Sequence, residues 1–179
     1  MKRIFVYLIS AIVLSCLGSC QSIPKGATAV SPFDADRYLG TWYEIARIDF
    51  TFEKNLDNTT ANYSKRPDGK IAVLNKGFNL KKNKWTDAKG KAKFRGDKNI
   101  AELAVSFFGP FYGGYNVVAL EGDYEYALVT GKNVDYLWIL ARKPTIPNTV
   151  KEQFLAKAKT IGYDISRLNW ISHDKKKSN

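Results

Sequence analysis

The sequence predicts an all-β fold: an eight-stranded antiparallel up-and-down barrel with one helix packed on its outside. Three observations lead there. Between Thr41 and Arg142 the chain offers eight segments rich in Tyr, Phe, Val, Ile and Trp, each punctuated by Gly, Asn, Asp or Pro. Their connections are short, so successive strands pair as a meander, and closing such a sheet removes its exposed edges. A single stretch of helical periodicity follows the last strand.

The elements run as follows. Met1, Lys2 and Arg3 form a basic head, and Ile4 to Leu17 is apolar apart from Ser10, Ser15 and Cys16. That run of about 14 residues is short of the roughly 20 needed to span a bilayer, which favours a secretory signal peptide over a transmembrane anchor. It ends in Leu17-Gly18-Ser19-Cys20, which resembles the cleavage box of bacterial lipoproteins. Cys16 fits the box less well because bulky Leu14 stands two residues before it. The resemblance implies cleavage after residue 19 and acylation of Cys20. With Gln21-Ser22 rather than an acid after the cysteine, it also implies sorting to the outer membrane, on the periplasmic side. Two or three acyl chains anchor stably where one holds only marginally.

The processed chain would have 160 residues, one domain's worth, with a net charge reduced from +11 to +9. Its only thiol would be the acylated one, so the core must hold without disulfides. The positive balance suits an anionic partner. A membrane surface or acidic amphiphile fits better than nucleic acid, because the basic residues are scattered and no zinc-finger spacing occurs. Solubility alone would explain the charge equally well.

Residues 20–32 read as an acylated N-terminus and linker that lets the domain stand off the membrane. Asp34 to Leu39 reads as a helical turn stopped by Gly40. Strands are expected at about 41–50, 57–66, 70–79, 84–94, 100–107, 114–121, 124–130 and 135–142. From Pro147-Asn148 to Ile161 a helix presents Val150, Phe154, Leu155, Ala158 and Ile161 on one face. A short strand at Leu168 to Ile171 precedes a basic tail, residues 173–179, expected to fray.

Gly40-Thr41-Trp42-Tyr43-Glu44-Ile45, at the start of the first strand, resembles the first signature block of the lipocalins. Tyr124 to Val129 and Leu137 to Arg142 resemble the second and third. The run Val105-Ser106-Phe107-Phe108-Gly109-Pro110-Phe111-Tyr112-Gly113-Gly114-Tyr115-Asn116-Val117 is similar to the bacterial outer-membrane lipoproteins of that family. The resemblance implies a domain over residues 33–172 that binds fatty acids or lysophospholipids and carries or stores them in envelope maintenance. A membrane-anchored interaction or adhesion protein with a merely structural barrel is the alternative.

In the family, Gly40, Trp42 and Arg142 correspond to fold residues, with the arginine packed across the indole at the closed end. The open end then carries the loops after strands one, three, five and seven. They bring Lys81, Lys82 and Lys84 together with Phe108, Phe111 and Tyr112 at the rim, with Phe50 to Leu56 in the first loop and Gly131-Lys132-Asn133 in the fourth. The aromatic loop could cover ligand, touch membrane or make a homodimer contact. Strict alternation from Trp42 puts Glu44, Ala46 and Ile48 inward, with Asn116 and Val118, Ala127 and Val129, and Tyr136, Trp138 and Leu140 from later strands. Glu44 would need a buried partner, an arginine or a tyrosine hydroxyl. No cofactor is expected. The single histidine, His173, lies in the tail, which leaves neither a Ser-His or Cys-His triad nor an ordinary zinc or other metal site, and no enzyme activity is expected.

Overall fold

The computed structural model describes residues 22–175. The signal segment and Cys20 lie outside the described residues. A one-turn helix α1 (Ala35–Tyr38) leads into strands β1 (Gly40–Ile48), β2 (Leu56–Lys65), β3 (Ile71–Asn79), β4 (Lys84–Phe94), β5 (Glu102–Ser106), β6 (Gly113–Glu121), β7 (Tyr126–Thr130) and β8 (Leu137–Ala141). Helix α2 (Asn148–Ile161) and a short strand β9 (Leu168–Trp170) follow. Each strand pairs antiparallel with the next, and β1 pairs with both β8 and β2, so the barrel is closed. β9 adds to the far end of β1.

Two apolar clusters divide the molecule. Inside the barrel, Phe33, Tyr38 and Trp42 plug one end, with Val117, Ala127, Val129 and Leu140 packed above them. Outside, Phe154, Ala158 and Ile161 of α2 cover Ile45, Leu128, Leu137 and Ile139. The helix ends where Gly162 takes φ 105°, a left-handed conformation that glycine adopts without a Cβ clash, and its N–H donates to Lys159 O at 2.9 Å.

The closed end is built on the first strand's opening residues. Asp34 caps α1 by accepting from the Asp36 and Arg37 amides, and Gly40 turns the chain into β1 at φ 93°. The Arg142 guanidinium lies 3.8 Å from the centre of the Trp42 indole and donates to the Arg37 and Thr41 carbonyls at 2.7 and 3.0 Å. A Cβ on residue 40 would come within 3.4 Å of Arg142, so glycine serves both the turn and this packing. A cation over an indole contributes about 0.5–2 kcal/mol, depending on how far it is desolvated.

Both chain ends depart from the sequence reading. Residues 22–32 are no free linker: Val30 donates to Val117 O and accepts from Ala101 N–H, and Ile23 packs on the barrel's apolar clusters. The start of the tail is held as well. His173 Nε2 lies 2.8 Å from Glu44 O with its ring edge-on to Tyr43, and Asn58 bonds Asp174 and the Lys175 amide.

Candidate functional site

Above the Trp42 plug the barrel is hollow. Two adjoining compartments, of about 330 and 540 Å³, open toward the loops after β1, β3, β5 and β7. They share Glu44, Phe50, Glu53, Ala61, Asn75 and Leu140, so they form one cup. That size falls within the range of sites that enclose small apolar ligands.

A bulge in β1 and the phase of β6 set which side chains face the cup. In β1 the pairing with β8 slips between Glu44 and Ala46. The extra residue reverses the alternation beyond it, as a bulge does. Ala46 and Ile48, expected inward, therefore join the outer cluster, and Arg47 turns in. On β6 the expected phase is also reversed. Tyr115 and Val117 face inward, while Val118 packs outside and Asn116 spends its amide on Ser22 and on the carbonyls of Thr130 and Gly131. The β8 phase places Tyr136, Trp138 and Leu140 on the cup wall. Ala127 and Val129 point inward but belong to the packed region rather than the wall.

Arg47 is the organising charge. Fully buried, it donates to Glu44 Oε1 at 2.5 Å and Asp49 Oδ1 at 2.7 Å, and to the main-chain carbonyls of Glu53 and Leu56 at 2.8 Å each. Glu44 thus has the buried arginine partner its position requires. Burial pushes its carboxyl up and Arg47 draws it back down. The same guanidinium fastens the loop of residues 49–55 across the mouth. Phe50 of that loop lies edge-on to Tyr136 and Trp138, and Phe52 meets Phe108 at 5.8 Å between ring centres. The loops after β1 and β5 therefore meet as a partial lid.

A further polar contact of the lid is the Trp138 indole N–H, which donates to Glu53 Oε2 at 2.9 Å. Burial, reinforced by Glu44, pushes the Glu53 carboxyl up to about 8, while Trp138 and Arg47 oppose the shift. The seated state therefore binds a proton that a free glutamic acid gives up near pH 4.5. A raised folded pKa means the seating free energy is full below the free value and is lost as pH rises through about 8. In ligand-free protein, Trp138 emission should titrate near that pH, and Glu53→Gln should flatten the transition. An unchanged curve in the variant would exclude Glu53 as its source.

Deeper in the cup, Tyr115 shares hydrogen bonds with Tyr38 at 2.7 Å and Tyr63 at 2.9 Å, and burial raises all three phenols. These neutral hydroxyls make a polar spot on an aromatic floor. Asn75 Oδ1 is buried on the wall without a hydrogen-bond partner among the described residues.

The rim differs from expectation in its basic members. Phe108, Phe111 and Tyr112 line the cup mouth. Lys81, Lys82 and Lys84 do not: the β3–β4 hairpin closes tightly at Asn83 (φ 48°), and this turn leaves the three side chains in solvent. Lys132, after β7, is the lysine that lines the first compartment. Among the described residues no group of His, Cys, Asp and Glu is arranged to hold a metal ion.

Residues 33–173 match the lipocalin-like domain family. The chain belongs to the lipocalin family. This lipocalin is 54% identical over 160 residues to outer membrane lipoprotein Blc of Citrobacter freundii, and 52% identical to that of Escherichia coli K12, with 89% of each chain covered in both cases. It is 39% identical over 139 residues to mouse apolipoprotein D, covering 73% of this chain and 70% of the relative. Insecticyanin of the tobacco hornworm shares the barrel at a TM-score of 0.65 and 19% identity, with 84% of this chain and 86% of that chain covered. The lipocalin fold and these relatives support a ligand-binding role.

Proposed function

We propose that this lipocalin is acylated at Cys20, sits on the periplasmic side of the outer membrane, and carries or stores a single-chain amphiphile, a fatty acid or lysophospholipid, in envelope maintenance. The observation that carries the reading is the cup: a largely apolar, aromatic-walled hollow whose polar groups include the buried acids Glu44 and Glu53, the phenols and the buried amide oxygen of Asn75. An acyl chain suits the wall formed by Phe107, Val73, Ala61 and Leu140. Asn75 Oδ1 can accept from a glycerol hydroxyl, and Lys132 can meet a phosphate or carboxylate at the mouth. The outer-membrane assignment is supported by the names of the Blc relatives and by the Leu17 to Cys20 run.

Protein extracted gently from membranes should carry about one single-chain lipid per barrel, and intact mass should show acyl groups at Cys20. Absence of any co-purifying lipid, together with no uptake of added lysolipid, would favour an interaction protein with a structural barrel. An unmodified Cys20 would remove the anchor.

A further inference from the structure

We infer that the open mouth of the cup is itself a membrane-docking surface, held against the bilayer by the point at which the N-terminal segment joins the barrel. The inference deepens the proposed function and rests on its acylation of Cys20.

The first observation is where the described chain begins. Ser22 is seated at the mouth end of the wall. Its carbonyl accepts from Asn116 Nδ2 at 2.9 Å, and its hydroxyl accepts from Arg95. Arg95 in turn donates to Asn116 Oδ1 at 2.5 Å and pairs with Glu102 at 3.0 Å. Asn116 is fully buried, so this seat is part of the fold rather than a surface contact. A Cβ at Gly114 would run into the Ser22 carbonyl, and would also lie 3.4 Å from the Lys132 Cα. Gly114 is the second residue of β6 and Lys132 follows β7, both at the open end. Cys20 is two residues from Ser22, so its anchor attaches within about 7 Å of that seat. A short, fastened tether at one end of the barrel leaves little freedom to turn the mouth away from the membrane.

The second observation is independent of the anchor. Of the eight exposed large apolar residues among the described residues, six lie on the open-end loops: Phe52, Leu80, Phe108, Phe111, Tyr112 and Val134. Phe111 is 77% exposed and Phe52 is 72% exposed. Soluble surfaces scatter such side chains singly, and a cluster at one end marks an interaction site. The third is charge. Lys54, Lys81, Lys82 and Lys132 are exposed on the same loops, with Lys84 exposed at the start of β4. Aromatic side chains ringed by lysines suit the interface of an anionic bilayer, where rings enter the headgroup layer and ammonium groups stay wet. The docked mouth would let a lysolipid pass from leaflet to cup without crossing water.

Amide hydrogen exchange tests this on the processed chain, Cys20–Asn179, held on vesicles of phosphatidylethanolamine and phosphatidylglycerol. One sample uses the chain's own acyl groups. A second couples the Cys20 thiol to a maleimide-bearing lipid, which keeps docking measurable if natural acylation fails. Exchange should slow severalfold in residues 50–55, 108–112 and 131–135 and stay unchanged in the closed-end turns at 66–69 and 122–125. Phe108→Ser with Phe111→Ser should reverse the slowing while leaving those turns and the barrel strands as they were. Equal exchange at both ends, or slowing confined to the closed end, would overturn the inference. So would mouth protection that appears in solution and grows with protein concentration, which would assign the surface to a second copy of the chain.

Discussion

Arg47→Met should be the most destabilising single substitution in the mouth. It would leave the Glu44 carboxylate buried without its cation and strip two loop carbonyls of their donor. Breaking a buried pair by removing one partner costs about 3–5 kcal/mol. For a domain of this size each kcal/mol moves the melting temperature by about 2–4 °C, so the drop should be on the order of 10 °C. Adding Glu44→Gln should recover part of it, because the stranded charge is then gone. Arg37, whose pairing with Asp123 is largely solvent-exposed, supplies the control, and Arg37→Met should shift melting far less. Equal shifts for the two arginines would mean that Arg47 is not the buried keystone described here.

Filling the cup should have the largest effect on binding. Ala61 lies on β2 opposite Trp42 and Asn75 and lines both compartments. Ala61→Trp puts an indole where an acyl chain would run. Lysophospholipid affinity should fall at least tenfold, equivalent to about 1.4 kcal/mol. The barrel has room for the added ring, so melting should change little. Retained affinity with a filled cup would place the ligand elsewhere.

Much of this architecture was legible before any coordinates, for physical reasons that differ by element. Gly40, Trp42 and Arg142 could be placed because an even-stranded meander brings the start of β1 beside the end of β8. Alternation then held on β8, which pairs without a slip against β7, so Tyr136, Trp138 and Leu140 took the expected face. It failed at Ala46 and Ile48 because a bulge leaves no composition mark in a strand buried on both sides. The signal available there was charge: Arg47 stands among Glu44, Asp49 and Glu53, a spacing that suggests a buried cation shared by several acids. Asn116 and Val118 failed for another reason. The glycines opening β6 carry no side chain to fix its phase, and the asparagine's role depends on Ser22, ninety-four positions away. A seat made by such distant residues leaves no local pattern to read. Lys132 could be read from topology alone, because the loop after β7 falls at the open end, and it does line the cup.

The central claim, that the barrel is a working cup for single-chain amphiphiles, is tested most directly by titrating delipidated protein with a lysophospholipid below its micellar concentration while following tryptophan emission. Trp138 lines the cup, whereas Trp42 is sealed beneath it and Trp85 and Trp170 lie off its wall. A saturable change at about one lipid per chain, lost in large part in Trp138→Phe, is the expected result. A titration with no saturation, or a saturable signal that survives in Trp138→Phe and disappears in Trp85→Phe, would contradict it.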